Sequence, residues 1–407
     1  MILDGYTSIC SNDSIAWAVT PHANEDLAVE SKLPHVGTSI FSKMTALANQ
    51  HGALNLSQGF PEFDAPERLK LRLTQYVQAG MNQYAPSPGM PALQQQIAAL
   101  VERKYGAKIR ADAQVTVTAG ATEALFVAIQ TLVRPGDEVI VFDPAYDSYH
   151  PAIKLAGGTS VHIALQAPDY RVDWQQVAAA VTTKTRAIII NTPHNPSAKT
   201  LKAADMTALK ALVNEHDLYL ISDEVYEHIT FDTQPHMSAL RDPDLAAKAM
   251  VVASFGKTFH CTGWKLGYCI APETLSDEFR KIHQYVTFSC FTPAQLALAD
   301  MLKEEPEHVD ALSDFYQHKR DLLVEALQPG RFTILPSEGS YFLLLDYSAI
   351  SSLDDVRFCE YLVEEVGVAA IPLSVFYAGG STDKVIRLCF AKEDSTLQEA
   401  AKRLCQL

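Results

Sequence analysis

The sequence lacks the spacings that build a disulfide framework or a structural zinc site. Its seven cysteines, Cys10, Cys261, Cys269, Cys290, Cys359, Cys389 and Cys405, are odd in number, scattered, and without a CxxC pair. That usage fits a reducing, cytoplasmic protein rather than a stapled extracellular domain. Positive charge is also scarce: 33 Lys and Arg against 48 Asp and Glu leave a formal net charge of −15. A nucleic-acid backbone is therefore not an expected partner, because such proteins carry a basic face. A small anion needs only a few local cations and is not excluded. No apolar run approaches the roughly 20 residues that cross a bilayer, so no membrane association is expected. The opening MILDGYTSICSNDSIAW shows neither a basic n-region nor a long apolar core. No Ser/Gly-rich linker, low-complexity tract or internal repeat divides the 407 residues.

What is present is the composition of a globular enzyme, 48% hydrophobic and 20% charged. Residues 1–30 read as a polar extension, and residues 31–60 as an arm or part of a smaller domain. A helical period begins in SKLPHVGTSIFSKMTALANQHG. Between about residues 61 and 300, short apolar runs alternate with helical patterns. The runs QVTVT (114–118), DEVIVFD (137–143), TSVHIAL (159–165), RAIIIN (186–191), LYLISDE (218–224) and AMVVAS (249–254) read as strands. Such alternation predicts an α/β fold with a mainly parallel sheet covered by helices on both faces. From about residue 301, long helices and separated strands (TILPSE, YFLLLD, VAAIP, VIRLCF) predict a smaller α+β domain reaching residue 407.

In parallel α/β sheets ligands bind beyond the carboxyl ends of the strands, and five strand ends here carry chemistry. The first runs into TAGATEAL, which puts Gly120, Ala121 and Thr122 at a helix start; this is either a simple cap or an anion cradle. The second ends in DPAYDSY, whose Tyr146 either packs in the core or stacks on a flat ligand. The third ends in NTPHNPSAK, where Asn195 is a turn residue or a hydrogen-bond donor. The fourth ends in SDEVYE, where Asp223 at a buried strand end caps a helix or faces a cation. The fifth ends in SFGK. Lys257 there is either an ordinary solvated lysine or an amine whose pKa burial depresses until it can attack a carbonyl. Each signal alone is weak. Together they supply what pyridoxal phosphate needs: a phosphate cradle, a stacking ring, a partner for the phenolic oxygen, a carboxylate for the ring nitrogen and a lysine for the aldehyde.

From residue 31 onward the chain resembles the fold-type I, pyridoxal-phosphate-dependent aminotransferases of class I/II, within them the kynurenine and methionine aminotransferase-like group. The resemblance rests on the ordered set LSQGFPEFDAP, NQYAPSPG, TAGATEAL, DPAYDSY, NTPHNPSAK, ISDEVYEH, SFGKTFHCTGWKLGY, SEGSYF and VIRLCFAK. It implies a seven-stranded sheet and a homodimer with shared active sites. Residue by residue it implies that Lys257 holds the cofactor covalently and that Asp223 pairs with its ring nitrogen. Asn195 and Tyr226 would bond the phenolic oxygen, and Tyr146 would stack on the ring. Ala121, Thr122, Ser254 and Lys265 would hold the phosphate, which Tyr84 would reach from the neighbouring subunit. Arg387, with the Gly59 backbone and Asn195, would hold the substrate α-carboxylate. Tyr84, Phe60, Tyr146 and Phe288 suggest an aromatic pocket, and residues 34–41 a cap over it.

Three departures stand out. Lys265 replaces a frequent Arg, NPSA a frequent NPTG, and Gly256 a frequent Ser. The implied activity is transfer of an amino group from an apolar or aromatic amino acid to a 2-oxo acid. Cleavage of cysteine conjugates on the same cofactor is the alternative. A non-catalytic, cofactor-binding regulator is disfavoured by the acidic charge and the short N-terminal extension.

Overall fold

The computed structural model describes residues 30–34 and 36–407. The expected extension, residues 1–30, lies outside the described residues except for Glu30. The described residues divide into two units, one ending at Val36 and one spanning Gly37–Leu407. In the first, the described part is a turn closed by the Val36 N–H on the Leu33 carbonyl at 3.1 Å.

The second unit opens with a helix at Ile40–His51, later than the helical period suggested. Ser39 sets the start, its hydroxyl accepting from the Ser42 N–H, and Gly52 ends the helix at φ 61°. Strand β1 (Leu54–Asn55) follows, then helices Glu67–Gln78 and Pro91–Tyr105.

The central sheet contains β2 (Val115–Thr118), β3 (Glu138–Asp143), β4 (Thr159–Ala164), β5 (Thr185–Asn191), β6 (Tyr219–Asp223), β7 (Ala249–Ser254) and β8 (Gly267–Ile270). Their spatial order is β2-β8-β7-β6-β5-β3-β4. All six strands read from the apolar runs are present. The seventh, β8, is antiparallel to both of its neighbours. Its four residues GYCI are fully buried.

Register brings the chemistry to one edge. Asn191 on β5 lies beside Asp223 on β6. Thr118, Gly267 and Ser254 lie abreast across β2, β8 and β7. Gly267 is required there, because a Cβ would sit 2.6 Å from the Ala253 carbonyl oxygen and 3.0 Å from the Ala121 nitrogen.

The smaller sheet holds β9 (Thr333–Leu335), β10 (Phe342–Asp346), β12 (Ile371–Pro372) and β13 (Val385–Cys389) in the order β12-β13-β10-β9. The run VAAIP does not form one strand. Its first half, β11 (Val368–Ala369), pairs in parallel with β1, and its second half joins β13. The reason is that β1, brought from residue 54, takes the hydrogen bonds of Val368 and Ala369. No described helix is long and apolar enough to cross a membrane, and the described cysteines are unpaired.

Candidate active site

A cavity of about 320 Å³ opens at the strand ends. Its lining includes Gly59, Ala121, Thr122, Tyr146, Asn195, Asp223, Tyr226, Ser254, Lys257, Lys265 and Arg387. These are all of the sequence-derived site residues except Tyr84. Phe41, from the segment expected to cap the pocket, and Phe60 also line it. Tyr84 does not: it is 81% exposed, and its ring meets the half-exposed Phe288 edge-on at 5.2 Å. Neither belongs to the cavity wall of its own chain.

The side of the cavity that carries Ala121, Thr122, Ser254 and Lys265 is built from β2, β7 and the start of β8. The helix Ala121–Leu132 follows Gly120, whose φ is 80°, and has no side-chain cap. Its first amides therefore open into the cavity, where the helix end favours negative charge. Lys265, at φ 51°, faces the same point. A Cβ on Gly120 would come within 3.5 Å of Lys265 Nζ. The Thr122 and Tyr146 hydroxyls are 3.3 Å apart. Gly256 also has a packing reason: a Cβ there would lie 2.9 Å from Thr262 Cα, so the Ser frequent in relatives needs a shift in this connection.

Asp223 is 3% exposed at the end of β6. Tyr149 Oη donates to its Oδ2 at 2.5 Å, and the Val225 N–H donates to its Oδ1 at 3.3 Å. Burial, with the nearby Glu224 charge, pushes the Asp223 carboxyl up to about 6 against these donors and Lys257. A cation placed beside it would reverse that cost.

Lys257 sits on the turn after β7, partly buried. Burial and the charges of Lys265 and Arg387 push its amine down to about 8, against Asp223 and Cys389. Its Nζ donates to Tyr341 Oη at 2.8 Å and to the Gly59 carbonyl at 3.2 Å. Burial also drives the Tyr226 phenol far above its ordinary value, so it stays protonated and able to donate.

Arg387 is 1% exposed on β13. Its guanidinium donates to Asn195 Oδ1 at 2.7 Å and to the Ser57 carbonyl at 3.0 Å, and lies 3.9 Å from the Phe342 ring centroid. Its Nε has no partner. A buried guanidinium with donor capacity to spare is built for a carboxylate. Asn195 is held in turn: its N–H donates to Asn191 Oδ1 at 2.7 Å, and Asn191 Nδ2 donates to the Asp223 carbonyl at 2.9 Å.

Sequence reasoning missed Tyr149, Asn191, Tyr341 and Phe342. SEGSYF and DPAYDSY were both singled out, but nothing in the spacing says that Tyr341 reaches Lys257 or that Tyr149 reaches Asp223.

Comparison with known proteins agrees with this geometry. The class I and II aminotransferase family matches residues 52–404. The chain is 60% identical over 384 residues to the methionine aminotransferase of Escherichia coli (strain K12), covering 94% of this chain and 100% of that one. It is 33% identical over 398 residues to kynurenine–oxoglutarate transaminase 1 of Mus musculus, covering 89% and 94%. The crystal structure of an Escherichia coli protein with a methionine aminotransferase function superposes with a TM-score of 0.92, at 60% identity and 94% and 100% coverage. By its sequence over nearly its full length, and by the fold that carries its cavity, the chain belongs to the class I and II aminotransferases.

Proposed function

We propose that this aminotransferase takes its amino group from an apolar or aromatic amino acid, methionine foremost, and passes it to a 2-oxo acid. The cofactor would be pyridoxal phosphate held covalently on Lys257. The residues present fit it: an uncapped helix end with Gly120 and Lys265 suits a phosphate. A buried carboxylate at Asp223, destabilised without a cation, suits a protonated ring nitrogen. When bound, the cofactor supplies an electron sink for the charge left when substrate Cα loses its proton.

The chain's own residues divide the remaining work. Arg387 holds the substrate α-carboxylate with its guanidinium, Asn195 orients that guanidinium, and Gly59 adds backbone contact. Asn195 and Tyr226 would hold the cofactor's phenolic oxygen and Tyr146 its ring. Ala121, Thr122, Ser254 and Lys265 would hold its phosphate. Lys257 Nζ, whose amine burial brings down to about 8, takes the Cα proton in its neutral form and later returns one. The amino group is then handed to the second oxo acid by the same groups in reverse, giving ping-pong kinetics. Tyr84, exposed and outside its own cavity, is assigned to the site of a second copy. The active form is then a homodimer, and an active monomer on sedimentation would contradict this.

The observation that carries the substrate class is the charge inventory. The cations lining the cavity are Lys257, Lys265 and Arg387, and each already has a task. Among the described residues lining this cavity none is left for a distal carboxylate, while Phe41, Phe60, Leu125, Val225 and Phe342 supply apolar wall. A panel of amino donors against a panel of 2-oxo acids tests it. Methionine and aromatic donors should give the highest kcat/KM. Aspartate or glutamate exceeding them would overturn the assignment. Lys257→Ala should lose covalent cofactor and at least about a thousandfold in turnover, since this residue carries the proton transfers.

A further inference from the structure

Tyr341 is fully buried, immediately before β10. Its carbonyl accepts from the Phe390 N–H at 3.0 Å, and the neighbouring Ser340 N–H donates to the Ile229 carbonyl at 2.9 Å. The close approach is possible because Gly339 has no side chain: a Cβ there would lie 2.7 Å from the Ile229 carbonyl oxygen. The Tyr341 ring is wedged between Tyr226, Tyr316 and Phe342, with centroids 5.0, 5.7 and 5.0 Å away. The hydroxyl therefore has one place to be.

Its hydrogen-bond roles follow from chemistry. The Gly59 carbonyl can only accept, so Tyr341 Oη donates its single proton there, at 2.5 Å. The phenolic oxygen is thus left as an acceptor, and it receives from Lys257 Nζ at 2.8 Å. The same Gly59 oxygen receives a second N–H from Lys257 at 3.2 Å. Gly59 itself is constrained, since a Cβ would meet the Phe342 ring at 2.8 Å. Two fixed acceptors thus stand against one amine. A neutral amine has two N–H bonds and one lone pair, so both donors are satisfied and the lone pair is left free. An ammonium has a third N–H and no lone pair, so only the neutral amine held this way can take a proton or form a bond.

We infer that Tyr341 is a positioning residue for the aminotransferase reaction: together with the Gly59 carbonyl it holds the free amine of Lys257 by its two N–H bonds, leaving the lone pair available to take a proton or form a bond. The inference rests on the proposed role of Lys257. The other ionisable groups around the amine are Asp223, Tyr226, Lys265, Arg387 and Cys389. None of these replaces the Tyr341 oxygen as its acceptor.

The test compares the full-length wild type with Tyr341→Phe, which removes one oxygen and keeps the ring packing. With cofactor removed, the pH dependence of Lys257 labelling by trace 1-fluoro-2,4-dinitrobenzene, read by peptide mass, gives the acidity of the amine. Pyridoxal phosphate followed by borohydride reports covalent capture. With cofactor restored, kcat and KM are measured across pH. The wild type should titrate near pH 8. Loss of the acceptor, which stabilises the charged form more than the neutral one, should move the midpoint down by about one pH unit. kcat should fall about tenfold with the donor KM nearly unchanged. Normal capture with an unshifted titration and unshifted kcat would overturn this inference alone. So would a variant whose only change is a lower melting temperature, since that marks Tyr341 as packing. Failure of the wild type to capture pyridoxal phosphate at Lys257 would overturn the role of Lys257 and this inference with it.

Discussion

Tyr149 Oη donates to Asp223 Oδ2 at 2.5 Å, joining the helix Tyr149–Leu155 to the end of β6. The bond holds a buried carboxylate in its charged form while burial pulls the other way. Tyr149→Phe should therefore raise the Asp223 carboxyl beyond about 6. A protonated carboxyl cannot pair with a ring cation. Cofactor affinity should fall about tenfold, the scale of one lost hydrogen bond to a charged group, and more at pH 6 than at pH 8. Equilibrium dialysis across that range is the check.

Lys257 carries a cost in the cofactor-free chain. Its folded pKa, about 8, lies below the unfolded value of 10.5, so the folded state binds fewer protons between those limits. Its penalty is full below pH 8 and fades as pH rises toward 10. Lys257→Met should thus stabilise the cofactor-free chain at pH 7, on the order of 2–3 kcal/mol, with the gain shrinking above pH 8. Denaturant unfolding at pH 7 and pH 9.5 measures both halves of this expectation.

Arg387→Lys keeps the charge but removes the planar fork. It also leaves Asn195 Oδ1 and the Ser57 carbonyl short of donors. Amino-donor kcat/KM should fall by roughly a hundredfold or more, about 3 kcal/mol of lost carboxylate binding. Steady-state kinetics with methionine would show it, and an unchanged kcat/KM would remove Arg387 from the substrate site.

Ala198 occupies the fourth position of NPSA with φ 60° and is 1% exposed. A left-handed alanine is strained where glycine is not, and the frequent family residue at this position is glycine. Ala198→Gly should relieve about 0.5–1 kcal/mol and raise the melting temperature by a degree or more, partly offset by unfolded-chain entropy. Scanning calorimetry decides the sign.

Most of these strands were legible because each is a short run buried on both faces, from VTVT to AMVVAS; β4, at the sheet edge, is buried only at Ile163. β8 was not legible. Its four residues begin with glycine, and its direction comes from a twelve-residue return between Ser254 and Gly267. VAAIP was read as one strand because composition cannot show that Leu54 and Asn55 compete for its first half. At the site, the strand-end residues were legible from their positions. Tyr149 and Tyr341 were not, because they act through contacts 74 and 84 residues away in sequence. Tyr84 differs in kind: its position in the chain is clear, but one copy does not contain the cavity it is assigned to.

The antiparallel β8 links two properties that are otherwise separable. Lys257 leaves the end of β7 and Lys265 enters the start of β8, while Ser254 and Gly267 pair across the two strands. The two lysines proposed for the covalent and the ionic hold on the cofactor therefore sit on a single hairpin, and their spacing is set by backbone register. A substitution can weaken either hold alone. A one-residue insertion between them would shift one lysine's register relative to the other and disrupt both at once, so this connection should tolerate changes of residue type far better than changes of length.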